Sequence, residues 1–152
     1  MKVFRITRKV HANISGEGCI YFPARWNNKG KPLVYTAESI SLSALEFFVN
    51  IGSYNLVPDN LVLLTIEVDD NTKMIIQDPL DLPKEWKNKI NVTRKLGDDF
   101  IKEAKAAIMK VPSAIIDGEY NFIINPKHQE ADKVRILSIK PFTFDSRFFK
   151  KK

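Results

Sequence analysis

The sequence predicts a single α+β domain with several short strands and helices inserted early and late. Three observations carry that prediction. A chain of 152 residues fits one domain with one sizeable core. Short runs rich in Val, Ile and Leu recur between Gly-, Pro- and Asn-rich stretches, the pattern of strands bounded by turns. Apolar residues take up helical spacing in two longer stretches, one before Gly52 and one before Pro112. No internal repeat or low-complexity linker divides residues 1–152, and residues 148–152 are expected to be a frayed tail.

Taken in order, residues 1–10 read as a first strand, with Val3, Phe4 and Ile6 among basic residues. The Gly-, Asn- and Pro-rich segment 11–32 should be mostly loop. Within it, Ser15-Gly16-Glu17-Gly18 either brings backbone close to a ligand or makes a turn. Residues 32–36 form a short strand leading into a helix that Ser39 caps and Gly52 ends. Apart from one carboxylate that helix is so apolar that it should be largely buried. Residues 61–69 and 73–77 read as strands around an Asp-Asn turn, and residues 79–91 as loop with a short helix. A second helix is expected from Thr93 or Asp98 to Lys110, with Phe100, Ile101, Ala104, Ala107 and Ile108 inward and Pro112 as its stop. Residues 113–116, 120–124 and 134–139 complete the strands.

Hydrophobic content of 44% and charged content of 28% are ordinary for a soluble globular protein. No apolar run approaches the roughly 18–20 residues that span a bilayer, and charges interrupt the N-terminal segment where a signal peptide would be apolar. Cys19 is the only cysteine. These features point to a reducing cytoplasm. The net charge of +6 fits attraction of an anionic ligand or an acidic or nucleic-acid partner, and equally fits plain solubility.

The helix before Gly52 carries the most informative residue. Turning about 100° per residue places Leu42, Leu45, Glu46 and Val49 in one stripe. A carboxylate there is costly to desolvate unless it is paired or used. Its bland reading is an ion pair, with Arg25 as the candidate. Arg25 offers a planar fork to phosphate or carboxylate, against a surface salt bridge or stacking on Trp26 as the alternative. Tyr35 can stack on an aromatic base, or serve as amphipathic core. Ser113 is a ligand donor or a turn serine. Phe47 and Phe48 point away from the Glu46 stripe, toward core packing or self-association. His11, His128 and one Cys make a structural zinc site improbable, and no Walker loop, dinucleotide glycine fingerprint or Gly-x-Ser-x-Gly elbow is present.

An ordered set of short motifs runs along nearly the whole chain. It begins with Val3-Phe4-Arg5-Ile6 and Ser15-Gly16-x-Gly18. Arg25-Trp26-Asn27-x-x-Gly30-x-Pro32-Leu33-Val34-Tyr35-Thr36-Ala37-Glu38-Ser39 and Ala44-Leu45-Glu46 follow. Val111-Pro112-Ser113-Ala114, Asn121, Asn125-Pro126-x-His128 and Phe144-Asp145-x-Arg147 close it. The set resembles RES-domain toxins, the toxin halves of bacterial RES–Xre type II toxin–antitoxin systems. The resemblance implies a fold of the diphtheria-toxin ADP-ribosyltransferase type, with a split mixed sheet, and an activity that consumes NAD⁺ as substrate with no metal. It also implies an Xre-like helix-turn-helix antitoxin as partner, through which alone DNA would be met. By position, Arg25, Tyr35 and Glu46 match the family's catalytic residues, and Arg5 and Ser113 join them in holding NAD⁺. Many relatives carry two glycines where this chain has Pro23-Ala24, which stiffens the approach to Arg25. Water, phosphate or a macromolecule remains open as the acceptor of ADP-ribose, with a non-enzymatic basic nucleic-acid-binding module as the rival reading. Homo-oligomerisation is likewise open.

Overall fold

A computed structural model describes residues 1–52 and 54–149; part of the expected tail, residues 150–152, lies outside that range. In chain order the main elements are β1 (Lys2–Arg8), α1 (Gly18–Tyr21), β2 (Val34–Ala37), α2 (Ile40–Ile51), β3 (Leu61–Val68) and β4 (Met74–Ile76), then α3 (Ile90–Glu103), β5 (Ile108–Pro112), β6 (Tyr120–Ile124) and β7 (Val134–Pro141). The strands form one seven-stranded sheet in the order β4-β5-β6-β2-β1-β3-β7. Every pairing is antiparallel except β4 with β5, so the sheet is mixed.

The sheet is held unevenly. β1 runs alongside β3 from Lys2↔Glu67 to Arg8↔Leu61, whereas β1 and β2 share the single register pair Phe4↔Ala37. Beyond that pair the two strands splay. The backbone N–H of Ile6 donates instead to Ser43 Oγ on α2, at 2.9 Å and buried. The helix thus completes hydrogen bonding where the neighbouring strand does not.

Alternate residues of the strands feed two apolar clusters, one on each face. Val34, Ile108, Phe122 and Ile124 join Val3, Leu64 and Ile66 in one cluster. Met109 and Ile123 join Trp26, Leu33 and Phe100 in the other, which α3 covers. Trp26 is only 2% exposed and meets Trp86 at 5.9 Å between ring centroids.

Ser39 and Gly52 bound α2 as their residue types require. The Ser39 side chain accepts from the Leu42 N–H, and Gly52 is left-handed at φ 73°. The largely buried helix expected here is corrected: only Leu42 and Ser43 are buried, and Val49 is 56% exposed. Leu42 is fully buried, while Ser43, Glu46, Phe47, Val49 and Asn50 of the helix line a cavity. Phe47 stacks on Phe144 at 6.1 Å and also lines that cavity, so it does not point away from Glu46.

The strands either side of the Asp-Asn turn are both present and do not pair with each other: β3 lies between β1 and β7, while β4 crosses to the far edge against β5. Two other expectations are corrected. The second helix begins earlier and stops at Glu103, where Ala104 turns left-handed at φ 46° and its N–H bonds the Phe100 carbonyl. Residues 108–110 are strand because β4 and β6 both pair with them, a tertiary demand stronger than helix propensity. Residues 113–116 are not a strand. Ser113 Oγ accepts from the N–H groups of Ile115 and Ile116 and closes a turn there.

Gly97 is where α3 meets the loop bearing Trp26. A Cβ at Gly97 would stand 1.6 Å from the Trp26 carbonyl oxygen. Alanine in a helix interior normally stabilises by up to about 1 kcal/mol over glycine. Here Gly97→Ala should instead destabilise by about 1–3 kcal/mol, the usual cost of overpacking, read as a lower urea midpoint at unchanged m-value.

Candidate active site

The splay between β1 and β2 opens a cavity of about 530 Å³. Arg5 and Ile6 line it from β1, Tyr35 and Thr36 from β2, Glu46 from α2, and Arg25 from the loop before β2. Arg5, Arg25, Tyr35 and Glu46 therefore come together as the sequence suggests. Ser113 stands behind them.

Glu46 is not paired with Arg25. Its Oε1 accepts from Ser113 Oγ at 3.1 Å and from Asn121 Nδ2. Ser113 is 2% exposed, and its hydroxyl oxygen also accepts the Ile115 and Ile116 N–H groups, both at 3.1 Å. One donated and two accepted bonds use the whole capacity of a hydroxyl. Asn121 sits on β6 opposite Ala37 of β2 and Val111 of β5 and lines the cavity. Sequence reasoning placed Asn121 in the motif pattern without giving it a role, because nothing local ties a strand asparagine to a helix 75 residues earlier.

Arg25 commits one donor, Nη1, to the Lys87 carbonyl at 2.9 Å. Its loop is braced from α3. Thr93 Oγ1 donates to the Arg25 carbonyl at 2.6 Å, and Arg94 Nε to the Ala24 carbonyl at 2.9 Å. Asp98 takes the N–H and side-chain amide of Asn28. Tyr35 ties the same loop from below: its hydroxyl accepts the Trp26 N–H at 3.0 Å and donates to Asn27 Oδ1 at 2.7 Å. Burial pushes the Tyr35 phenol well above the usual tyrosine range. The ring lines the cavity while the hydroxyl serves the loop. Burial also lowers the Arg5 guanidinium from its usual range, and Arg5 Nη1 donates to the Asn13 carbonyl at 2.8 Å.

Of the two readings of Ser15-Gly16-Glu17-Gly18, the turn is the one observed. Gly16 has φ +71°, and a Cβ there would lie 2.7 Å from the Leu33 nitrogen. His128 is a core histidine. Its Nδ1 accepts from the Glu130 N–H, so Nε2 is the donor to the Ala104 carbonyl at 3.0 Å. Among the described residues no group of three or more His, Cys, Asp or Glu could hold a metal ion.

A family model described as RES domain matches residues 2–145. The chain is 34% identical to "Toxin Res" of Photorhabdus laumondii, covering 100% of this chain and 99% of that protein. It is 34% identical to "Toxin Res" of Pseudomonas putida, over 98% and 100%. Identity to the "Prs ADP-ribosylating toxin" of Sphingobium sp. is 32%, over 91% and 88%. Among solved structures, the M. tuberculosis MbcT-MbcA toxin–antitoxin complex contains a chain of the same fold, with a TM-score of 0.77 at 18% identity. That match covers 93% of this chain and 84% of that one.

Tyr35→Phe should cost about 1–3 kcal/mol at neutral pH, because the Trp26 N–H loses its acceptor. The difference should narrow as pH rises past about 10. There the unfolded wild type releases the tyrosine proton that the native state retains, so wild-type stability falls by a component the phenylalanine variant lacks. Urea unfolding of both proteins between pH 8 and 11 measures this.

Proposed function

The chain belongs to the RES domain family, and from that premise we propose that it is the toxin of a toxin–antitoxin pair and breaks the nicotinamide–ribose bond of NAD⁺. The observation that carries the reading is Glu46, a carboxylate fixed by neutral donors at a cavity that Arg5 and Arg25 also line. Cleavage of that bond develops positive charge on the ribose as an oxocarbenium-like centre, and nicotinamide leaves as a neutral base. A carboxylate beside the ribose stabilises this charge, as in glycoside cleavage.

In this reading Arg25 holds the pyrophosphate, with Arg5 as a second guanidinium facing the nucleotide. Holding both ends of the ligand fixes the ribose against Glu46, which is where positioning enters the rate. The Tyr35 ring stacks on nicotinamide. Ser113 acts through Glu46, since its hydroxyl has no capacity left for a ligand. The acceptor is water, giving ADP-ribose, nicotinamide and a proton, or inorganic phosphate in a phosphorolysis. Transfer of ADP-ribose to a macromolecule is the second reading, favoured by the name of the Sphingobium relative. Both readings use the same Glu46 geometry.

An antitoxin partner is supported by the solved complex, and an Xre-like helix-turn-helix protein is the partner we propose. A carboxylate-bearing segment of it seated near Arg25 would exclude the anionic ligand. Among the described residues no helix is long and apolar enough to cross a membrane, and the cytoplasm is the proposed site of action because NAD⁺ is there.

Incubated with NAD⁺, with and without phosphate, the antitoxin-free protein should release nicotinamide, and the second product identifies the acceptor. Label from adenine-labelled NAD⁺ remaining on a macromolecule would select transfer instead. Glu46→Gln should slow NAD⁺ loss by about 10²–10³-fold, the typical worth of such an electrostatic group, at an unchanged melting temperature. Unaltered turnover in that variant would remove Glu46 from the chemistry.

A further inference from the structure

The structure assigns Asn121 as a positioning residue that, with Ser113, fixes one oxygen of Glu46 so that the other is presented to the ligand. The inference deepens the NAD⁺ reading above and rests on it for its kinetic arm.

Both donors converge on Oε1, Ser113 from the turn after β5 and Asn121 from β6. Among the described residues no hydrogen bond or ion pair reaches Oε2, so that oxygen is the one left for a substrate. Ser113 has a single proton, and the N–H groups of Ile115 and Ile116 occupy its lone pairs, which directs that proton to Glu46. Ser113 alone would allow the carboxylate to swing about its one bond. The Asn121 amide arrives from a second element and removes that freedom. Asn121 is itself anchored by its strand, paired on both sides with Ala37 and Val111. The two donors therefore define a plane for the carboxylate relative to the sheet, not merely an attachment.

A positioning residue acts through its neighbour, so its effect must vanish when the neighbour is removed. We expect Asn121→Ala to lower kcat for NAD⁺ loss by about 10- to 100-fold, the scale of a misplaced reacting group, with KM little changed. In a Glu46→Ala background the same substitution should alter the residual rate less than twofold. Full additivity of the two substitutions, or a raised KM with kcat intact, would overturn the assignment by making Asn121 a direct ligand contact.

A second measurement depends on neither turnover nor the folding of Asn121→Ala. In the wild type the Asn121 side-chain amide protons should exchange slowly with water, and in Glu46→Ala they should exchange like those of a free amide. Equal exchange in the two proteins overturns the hydrogen bond itself. Slow exchange lost in Glu46→Ala, in a protein that leaves NAD⁺ intact, keeps the Asn121–Glu46 pairing and sinks the NAD⁺ reading alone.

Discussion

The hydrogen bond from the Ile6 N–H to Ser43 Oγ ties α2 to β1 at the edge of the cavity, where β2 no longer pairs with β1. β1 and β2 share one register pair, and without another acceptor the next N–H of β1 would be buried and unbonded. Ser43 supplies that acceptor and so pins α2 over the gap. Glu46 follows Ser43 by three residues, which places both on the same helical face. The residue that repairs the sheet therefore also aims the carboxylate into the space that the missing strand contacts leave.

The opposite side of the cavity is held by another means. The segment from Ala24 to Asn28 is irregular backbone, and α3 meets its polar groups with Thr93, Arg94 and Asp98. Gly97 lets the helix come close enough to do this, since any side chain there would strike the Trp26 carbonyl. Tyr35 completes the brace from β2. Two of the residues suggested by the sequence thus divide their work: Arg25 lines the cavity, and the Tyr35 hydroxyl keeps the Arg25 loop in place.

What the sequence made legible follows from the range of the signal. α2 was readable because Ser39 and Gly52 act on their own helix, and most strands because apolar runs stand between turn residues. The position of β4 was not, because the Asp-Asn turn says nothing about which edge the chain joins next. The segment 104–110 departs from its helical pattern because its alanines suit a helix and only pairing with β4 and β6 makes its end a strand. Glu46 stood out as a carboxylate on an apolar stripe, yet its partners lie 67 and 75 residues away and are neutral. A charge invites the expectation of a countercharge, and here Arg25 is turned to the Lys87 carbonyl.

That preference for neutral donors has a physical consequence for the proposed reaction. At 4 Å and an effective dielectric of 20, two unit charges interact by about 4 kcal/mol. A guanidinium paired with Glu46 would set a repulsion of that order against the cation forming on the ribose and cancel much of what the carboxylate contributes. A hydroxyl and an amide hold the same oxygen without adding net positive charge, at about 1.5–3 kcal/mol for each bond to a charged group. The carboxylate is thereby held while its field stays directed at the ligand. Arg25, kept on its own brace, remains available to phosphate oxygens. In the proposed reaction the separation of Arg25 from Glu46 thus divides the charges of the site, with the cationic side chain for the anionic end of the nucleotide and the carboxylate for the centre that becomes positive.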